Sequence, residues 1–491
     1  MLRPQDTRFF GHPVGLSTLF FTELWERFGY YGMRALLILF LVAPASSGGL
    51  SLDVMTAGSI YGLYTASVYM LSLPGGWLAD RFLGQRKAVL YGGILIAIGY
   101  LMLAAPDVRV FYAGLCVVVC GTGLLKPNIS TIVGQLYSSQ DPRRDAGFSI
   151  FYMGINLGAT IAPLICGYVG QRINWHLGFA LSGLGMTFGV IQFWFGRRYL
   201  ADAGLHPVPA ASPAEAAFQR RLLRSAALGV LAIGSVMALV HLTGILPLTP
   251  VLLVNAAGVV LLVIVAGLFA WMLLGGDWTP VERKRLGAIL VLFVAASLFW
   301  AAYEQAGSSL SLFAERSSNN VILHFNFPAS WYQSLNSLFI VALAPLLAWL
   351  WIRLGNRQPS SPVKFALGLL FVGLGFVVLV FGALLSAHGA RVSPLFLVAT
   401  YLLHTIGELC ISPVGLSAIT KLAPARVGSF MMGVWFISIS IGDYLGARLT
   451  SFYGALPVPI LFGIAATTSI LAGLALFLIA RPVTRLMGGV R

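Results

Sequence analysis

Fourteen stretches of about twenty predominantly apolar residues constrain this chain more than any other feature of its sequence. Hydrocarbon offers a backbone no hydrogen-bonding partner, so a segment that crosses a bilayer must be an α-helix or a strand of a closed barrel. Barrel strands read as ~10-residue stretches of alternating polarity. Continuous runs such as AAGVVLLVIVAGLF (256–269) read as helix instead. The expected fold class is an all-α integral membrane protein. Composition agrees, since 58% of 491 residues are hydrophobic, enough for about fourteen spans of twenty.

The spans are expected near 16–43, 53–79, 87–105, 109–137, 145–171 and 175–198, then 225–242 and 250–274, and finally 285–313, 329–352, 363–387, 393–420, 427–452 and 457–480. A Pro/Ala-rich charged connector, LADAGLHPVPAASPAEAAFQRRLLR (200–224), follows the first six. This organisation predicts a six-helix bundle over 1–199, a connector with two additional helices over 200–282, and a second six-helix bundle over 283–491. Two bundles in one orientation match a parallel repeat. WLADRFLGQRK (77–87) and WLWIRLGNRQ (349–358), each after the second span of its half, echo one another weakly.

The formal net charge of +15 is distributed asymmetrically. Most Lys and Arg lie at the termini and in one alternate set of loops. Arg109, Arg172, Arg316 and Arg391 are the basic residues of the opposite loops, while Arg27, Arg34, Lys126 and Arg448 lie within spans. The positive-inside rule then places both termini in the cytoplasm. A nucleic-acid partner is excluded, because no basic soluble face with interleaved aromatics exists. The first fifteen residues lack a signal-peptide core, so the first span would itself direct insertion. Cys116, Cys120, Cys166 and Cys410 all fall in apolar spans and read as packing residues, not metal ligands or disulfides.

Charge inside the first span calls for a function. In TELWERFGYYGMRALLILFL (22–41), residues Glu23, Glu26, Arg27, Tyr30 and Arg34 fall within about 100° of one another on a helix. Each charge at a helix centre costs roughly 2.5–3.5 kcal/mol, so this face must look into the protein or a watery cavity. Glu23 and Glu26 could neutralise Arg27 as a helix-locking ion cluster, could take up and release protons, or could do both.

GGWLADRFLGQRK (75–87) resembles the loop signature of the major facilitator superfamily. That resemblance implies a gating loop built on Asp80, Arg81, Gly84, Arg86 and Lys87, with charges that latch neighbouring helix ends. The ExxER pattern Glu23–Arg27 with its aromatic pair, FYMGINLGA (151–159), FWAAYEQ (299–305) and GELCISPVGLSAITKLAP (407–424) resemble, in order, the motifs of the proton-dependent oligopeptide transporter family. Bacterial members of that family also carry two spans between the halves.

Membership would imply a proton-coupled symporter importing di- and tripeptides across the bacterial inner membrane. It implies that Arg34 and Lys126 receive the peptide carboxylate and that Glu408, one turn from Ser412, holds the amino terminus. Glu408 serving only to neutralise Lys126 stays an alternative. Asn156 and Asn336 would bond the peptide backbone, and Tyr30, Tyr69, Trp300 and Trp435 would wall the site. Protonating Glu304 would free Arg34, with Glu23, Glu26, Arg27 and Lys126 as a second proton-sensitive cluster. No cofactor is expected beyond the coupling proton, the partners are peptide, protons and lipid, and the chain would work as a monomer. His404, one turn before Glu408, reads as structural, and no further ligand at suitable spacing makes it a metal site. A drug antiporter or nitrate-type carrier would share the fold. An enzyme is disfavoured, since neither a HExxH nor a GxSxG motif is present.

Overall fold

The computed structural model describes residues 7–138, 141–275, 277–424 and 428–488. It is 82% helical. Sixteen α-helices among these residues form fourteen membrane-length segments, because two segments are each built from two helices in tandem. The first six segments are α1 (Val14–Val42), α2 (Val54–Met70) continued by α3 (Ser72–Leu78), α4 (Gln85–Leu103), α5 (Val108–Gln135), α6 (Arg144–Arg172) and α7 (Trp175–Gly196). Two more follow, α8 (Pro213–Leu242) and α9 (Pro250–Ala270). The last six are α10 (Pro280–Tyr303) continued by α11 (Ser309–Arg316), α12 (Gln333–Leu354), α13 (Ser361–Ser386), α14 (Leu395–Leu422), α15 (Gly428–Thr450) and α16 (Val458–Leu486). The order is two sets of six membrane-length segments with two more inserted between them.

Eleven helical segments are long and apolar enough to cross a membrane by composition. The first is not among them; its four charges are the reason. Helix starts follow from capping chemistry. Asp53 accepts from the Thr56 amide at 2.9 Å, Asp107 and Asn174 do the same for α5 and α7, and Thr279 with Glu282 closes a capping box on α10. The connector is shorter than the sequence suggests. Ser212 accepts from the Glu215 amide at 3.1 Å with Pro213 at the first helical position, so α8 begins twelve residues before its apolar run and carries Arg220, Arg221 and Arg224 on helix.

Packing inside a bilayer relies on close backbone approach at small residues. A Cβ on Gly62 of α2 would fall 2.0 Å from the Ala447 Cβ of α15, which brings the two bundles together along one seam. Helix α9 lies over that seam, with Gly258 against the Tyr444 ring. Helix α8 is largely exposed along its length, as expected of a lipid-facing span.

Hydrogen bonds between the bundles gather where α1, α6 and α11 end. Gln171 donates to Glu315 at 3.0 Å and accepts from the Ser330 amide at 2.9 Å; the Trp331 indole donates to the Leu164 carbonyl at 3.1 Å; Arg172 donates to Asn326 Oδ1 at 2.7 Å. The molecule is closed at this end.

Substituting Gly62→Val should destabilise the protein by about 1–3 kcal/mol through overpacking. Gly229→Ala, which has nothing within 4 Å of the added carbon, should not. Thermal unfolding of the two purified variants in detergent compares them directly.

Candidate functional site

A small cavity of about 110 Å³ lies between the bundles. Tyr31, Arg34 and Tyr69 line one side; Trp300, Tyr303, Glu304, Asn336, Tyr401 and Glu408 line the other. A second cavity of about 260 Å³ between α1, α6 and α7 is walled by apolar side chains such as Trp25, Phe28 and Phe188 and offers a charged ligand nothing.

The polar stripe of α1 turns inward. Glu23, Glu26, Arg27 and Arg34 are all buried, with Glu26 fully so. Arg34 uses its fork across the bundle boundary: one terminal nitrogen donates to Glu304 Oε2 at 2.6 Å and Nε donates to the Tyr61 hydroxyl at 2.9 Å. Glu304 is presented by a break between α10 and α11, the 3₁₀ turn Glu304–Gly307. Gly307 makes the approach possible, because a Cβ there would fall 1.7 Å from the Tyr61 hydroxyl and 2.8 Å from Arg34 Nε.

Deeper along α1, Arg27 pairs with Glu23 at 3.1 Å and with Glu26. Its guanidinium carbon stands 5.3 Å from the centre of the Tyr30 ring. Lys126, followed by Pro127 in an unbroken α5, places Nζ 3.6 Å from the centre of the Tyr69 ring. That contact is a cation–π interaction, and it turns the ammonium toward the α1 acids.

Across the cavity, Glu408 on α14 is held by two donors. The Tyr303 hydroxyl donates to Oε2 at 2.6 Å and Asn336 Nδ2 donates to the same oxygen at 2.9 Å. Asn336 also reaches the Thr405 hydroxyl at 3.1 Å. Neither donor is charged, so Glu408 is fixed in place without being neutralised by a neighbour on its own side.

Other expected residues sit apart from the cavity wall. The Asn156 amide donates to the Tyr152 carbonyl of its own helix at 3.0 Å. Trp435 packs against Gly415 and Phe365, Ser412 Oγ has no hydrogen-bond partner among the described residues, and Tyr30 stands behind Tyr31 with ring centres 5.2 Å apart. His404 packs on Phe376 with ring centres 5.0 Å apart. No cluster of metal-ligating side chains occurs among the described residues.

The loop at 79–87 is tied to the connector. Gly84 takes φ +78°, a left-handed value that favours glycine. Arg86 Nε donates to the Ala203 carbonyl at 2.6 Å, the Val208 amide donates to the Asp80 carbonyl at 2.7 Å, Gln85 donates to the Asp80 carboxylate at 3.0 Å, and Arg81 pairs with Glu215 of α8 at 3.4 Å. Lys87 is exposed.

A family model described as the POT family matches residues 86–461. The chain belongs to the POT family. It is 43% identical to the uncharacterized transporter YclF of Bacillus subtilis (strain 168), covering 98% of this chain and 96% of that one. It is 40% identical to the di-/tripeptide transporter of Lactococcus lactis subsp. cremoris, covering 100% and 99%. A crystal structure of a peptide transporter POT in complex with sulfate superposes with TM-score 0.93 at 44% identity, covering 99% of this chain and 97% of that one.

Against this POT framework, several cavity residues escaped the sequence reading. Tyr31 covers Arg34 and Tyr303 donates to Glu408 at the wall, Tyr61 accepts from Arg34 behind it, and Tyr401 donates to the Ala306 carbonyl at 3.3 Å. Tyr303 stood inside the quoted FWAAYEQ motif, beside Glu304. Asp443 on α15 was also overlooked, although the argument applied to the first span, that a charge among apolar residues needs a reason, applies to it equally.

Removing one member of a buried ion pair strands the other, at roughly 3–5 kcal/mol. Arg34→Met should therefore lower thermal stability strongly, while the double variant R34M/E304L should recover most of the loss. Melting curves for the two singles and the double measure this coupling.

Proposed function

We propose that this chain is a proton-coupled symporter that imports di- and tripeptides by alternating access. The observation that carries the reading is a cavity with a guanidinium, Arg34, on one bundle and a carboxyl group, Glu408, on the other. A peptide has a carboxylate at one end and an ammonium at the other whatever its side chains, so two opposed charges recognise the class and ignore its members. Similar transporters named for di- and tripeptides support the same substrate class.

On this reading Arg34 offers the peptide carboxylate a bidentate fork and Lys126 adds a point charge. Glu408, oriented by Tyr303 and Asn336, takes the amino terminus, with Ser412 one turn along. Asn336 serves the peptide bond, with Asn156 joining it only in a wider cavity. Tyr69 and Trp300 are amphipathic surfaces at the wall that tolerate varied side chains, backed by Tyr30 and Trp435.

Glu304 and the peptide carboxylate compete for one guanidinium. While Glu304 is ionised it holds Arg34 and bolts the bundles together at the closed end. A proton on Glu304 removes that anion, frees the fork for peptide and unlocks the end. Glu23, Glu26 and Arg27, with Lys126 nearby, form the second proton-sensitive group. Asp80, Arg81, Gly84, Arg86 and Lys87 form the gating loop at the opposite end, and the ties from Asp80, Arg81 and Arg86 to residues 201–215 give the inserted segment a part in that gate. The functional division is 1–199, 200–282 and 283–491. The chain works as a monomer in the bacterial inner membrane, with both termini cytoplasmic and no cofactor besides the coupling proton.

Labelled dialanine should accumulate in proteoliposomes under an inward proton gradient. In Glu304→Gln, the ratio of gradient-driven accumulation to dialanine exchange should fall at least about tenfold; full gradient-driven accumulation would overturn the assignment. Glu408→Gln weakens a charge-assisted contact of about 1.5–3 kcal/mol, so KM for dialanine should rise roughly 10- to 100-fold. Absence of dialanine uptake under any gradient would redirect the search to nitrate and drug-like substrates.

A further inference from the structure

Asp443 has no place in the scheme above. Its side chain is 3% exposed, and neither carboxyl oxygen has a hydrogen-bond partner among the described residues. It lies on the α2–α15 seam, where a Cβ on Gly62 would come within 3.5 Å of the Asp443 carbonyl oxygen. Thr65 is a neighbouring hydroxyl that reaches the carboxyl, but its single proton is shared with the carbonyls of Tyr61 and Gly62 at 3.1 and 3.2 Å. One turn on, Gln305 anchors α15 by donating to the Gly446 carbonyl at 2.8 Å.

Charged groups surround the seam without pairing to it. Glu304, Arg34 and Lys126 act on Asp443 electrostatically, as do Tyr61 and Tyr69 from the second segment. Arg34 is already committed to Glu304 and Tyr61. Helix α9 has no ionisable side chain. On α14, Glu408 turns to Tyr303 and Asn336 and His404 to Phe376.

An ionised carboxyl with no paired counter-ion and only a shared hydroxyl beside it is strongly unfavourable in a buried interface. A cation that removes the charge must fit between helices in van der Waals contact. A metal ion would need several more ligands, and no group of three acids, histidines or cysteines gathers here among the described residues. A proton needs none. The seam also joins the two bundles, so parting them exposes Asp443 to water on one face.

We propose that Asp443 is a further proton-binding site of the transport cycle, loaded and emptied as the α2–α15 seam opens to one face and then the other. Each cycle forms an O–H bond on the carboxylate with a proton from water on one side and returns that proton to water on the other. Its role in coupling rests on the symport reading; proton binding itself does not.

Two measurements separate those claims. Infrared spectra of the purified full-length protein over a pH titration need no substrate: the wild type should show a protonated-carboxyl C=O band that Asp443→Asn and Asp443→Ser both lack and Glu304→Gln retains. A band unchanged in both Asp443 variants overturns the proposal. The second measurement is dialanine accumulation at steady state under a gradient of about one pH unit with the membrane potential held at zero. There each coupled proton is worth about tenfold in the accumulation ratio, so Asp443→Asn should lose about tenfold. An unchanged ratio in a variant that has lost the band would overturn the coupling role. Loss of the band in a protein that takes up no dialanine would support the proton site and remove the peptide reading instead.

Discussion

A guanidinium buried among apolar helices must find an anion, and in this protein it finds one on the other half of the molecule. The Arg34–Glu304 pair spans 270 residues of sequence and the boundary between the two bundles. Such a pair adds little net stability compared with a well-packed apolar alternative, yet breaking it by removing one partner is severe. That combination suits a switch. The bolt is strong while both charges stand, and in the proposed cycle a single proton abolishes it.

The surroundings of the pair are arranged to keep it isolated yet accessible. Tyr61 takes the remaining guanidinium donor facing it, Gly307 lets the broken helix between α10 and α11 come close, and Tyr31 covers the fork. Glu408 is treated differently. It is held by neutral donors from Tyr303 and Asn336, so its charge remains available to a ligand. One carboxyl is paired and one is merely oriented, the asymmetry that the proposed zwitterionic substrate calls for.

The two inserted helices gain a structural account. Helix α9 covers the seam between α2 and α15, and the segment leading into α8 collects ties from Asp80, Arg81 and Arg86. In the sequence these spans carry no functional motif. Their contribution comes from where they lie, over a joint that must move and beside the loop that turns at the opposite end.

Much was determined by the sequence alone. Fourteen apolar stretches exclude every fold but a helical membrane bundle, because hydrocarbon leaves the backbone no other way to satisfy its hydrogen bonds. The charges of the first span were legible as inward-facing for the same energetic reason, and the ordered motifs from Glu23 to Pro424 were enough to suggest the family. What the tertiary structure decided is which charge meets which. Helical periodicity relates residues on one helix, and nothing in it pairs Arg34 with Glu304, sets Lys126 over Tyr69, or leaves Asp443 alone in the seam. Those relations depend on how separate helices pack, and packing in lipid is governed by small residues such as Gly62 and Gly307 whose importance appears only when the neighbouring helix is in place.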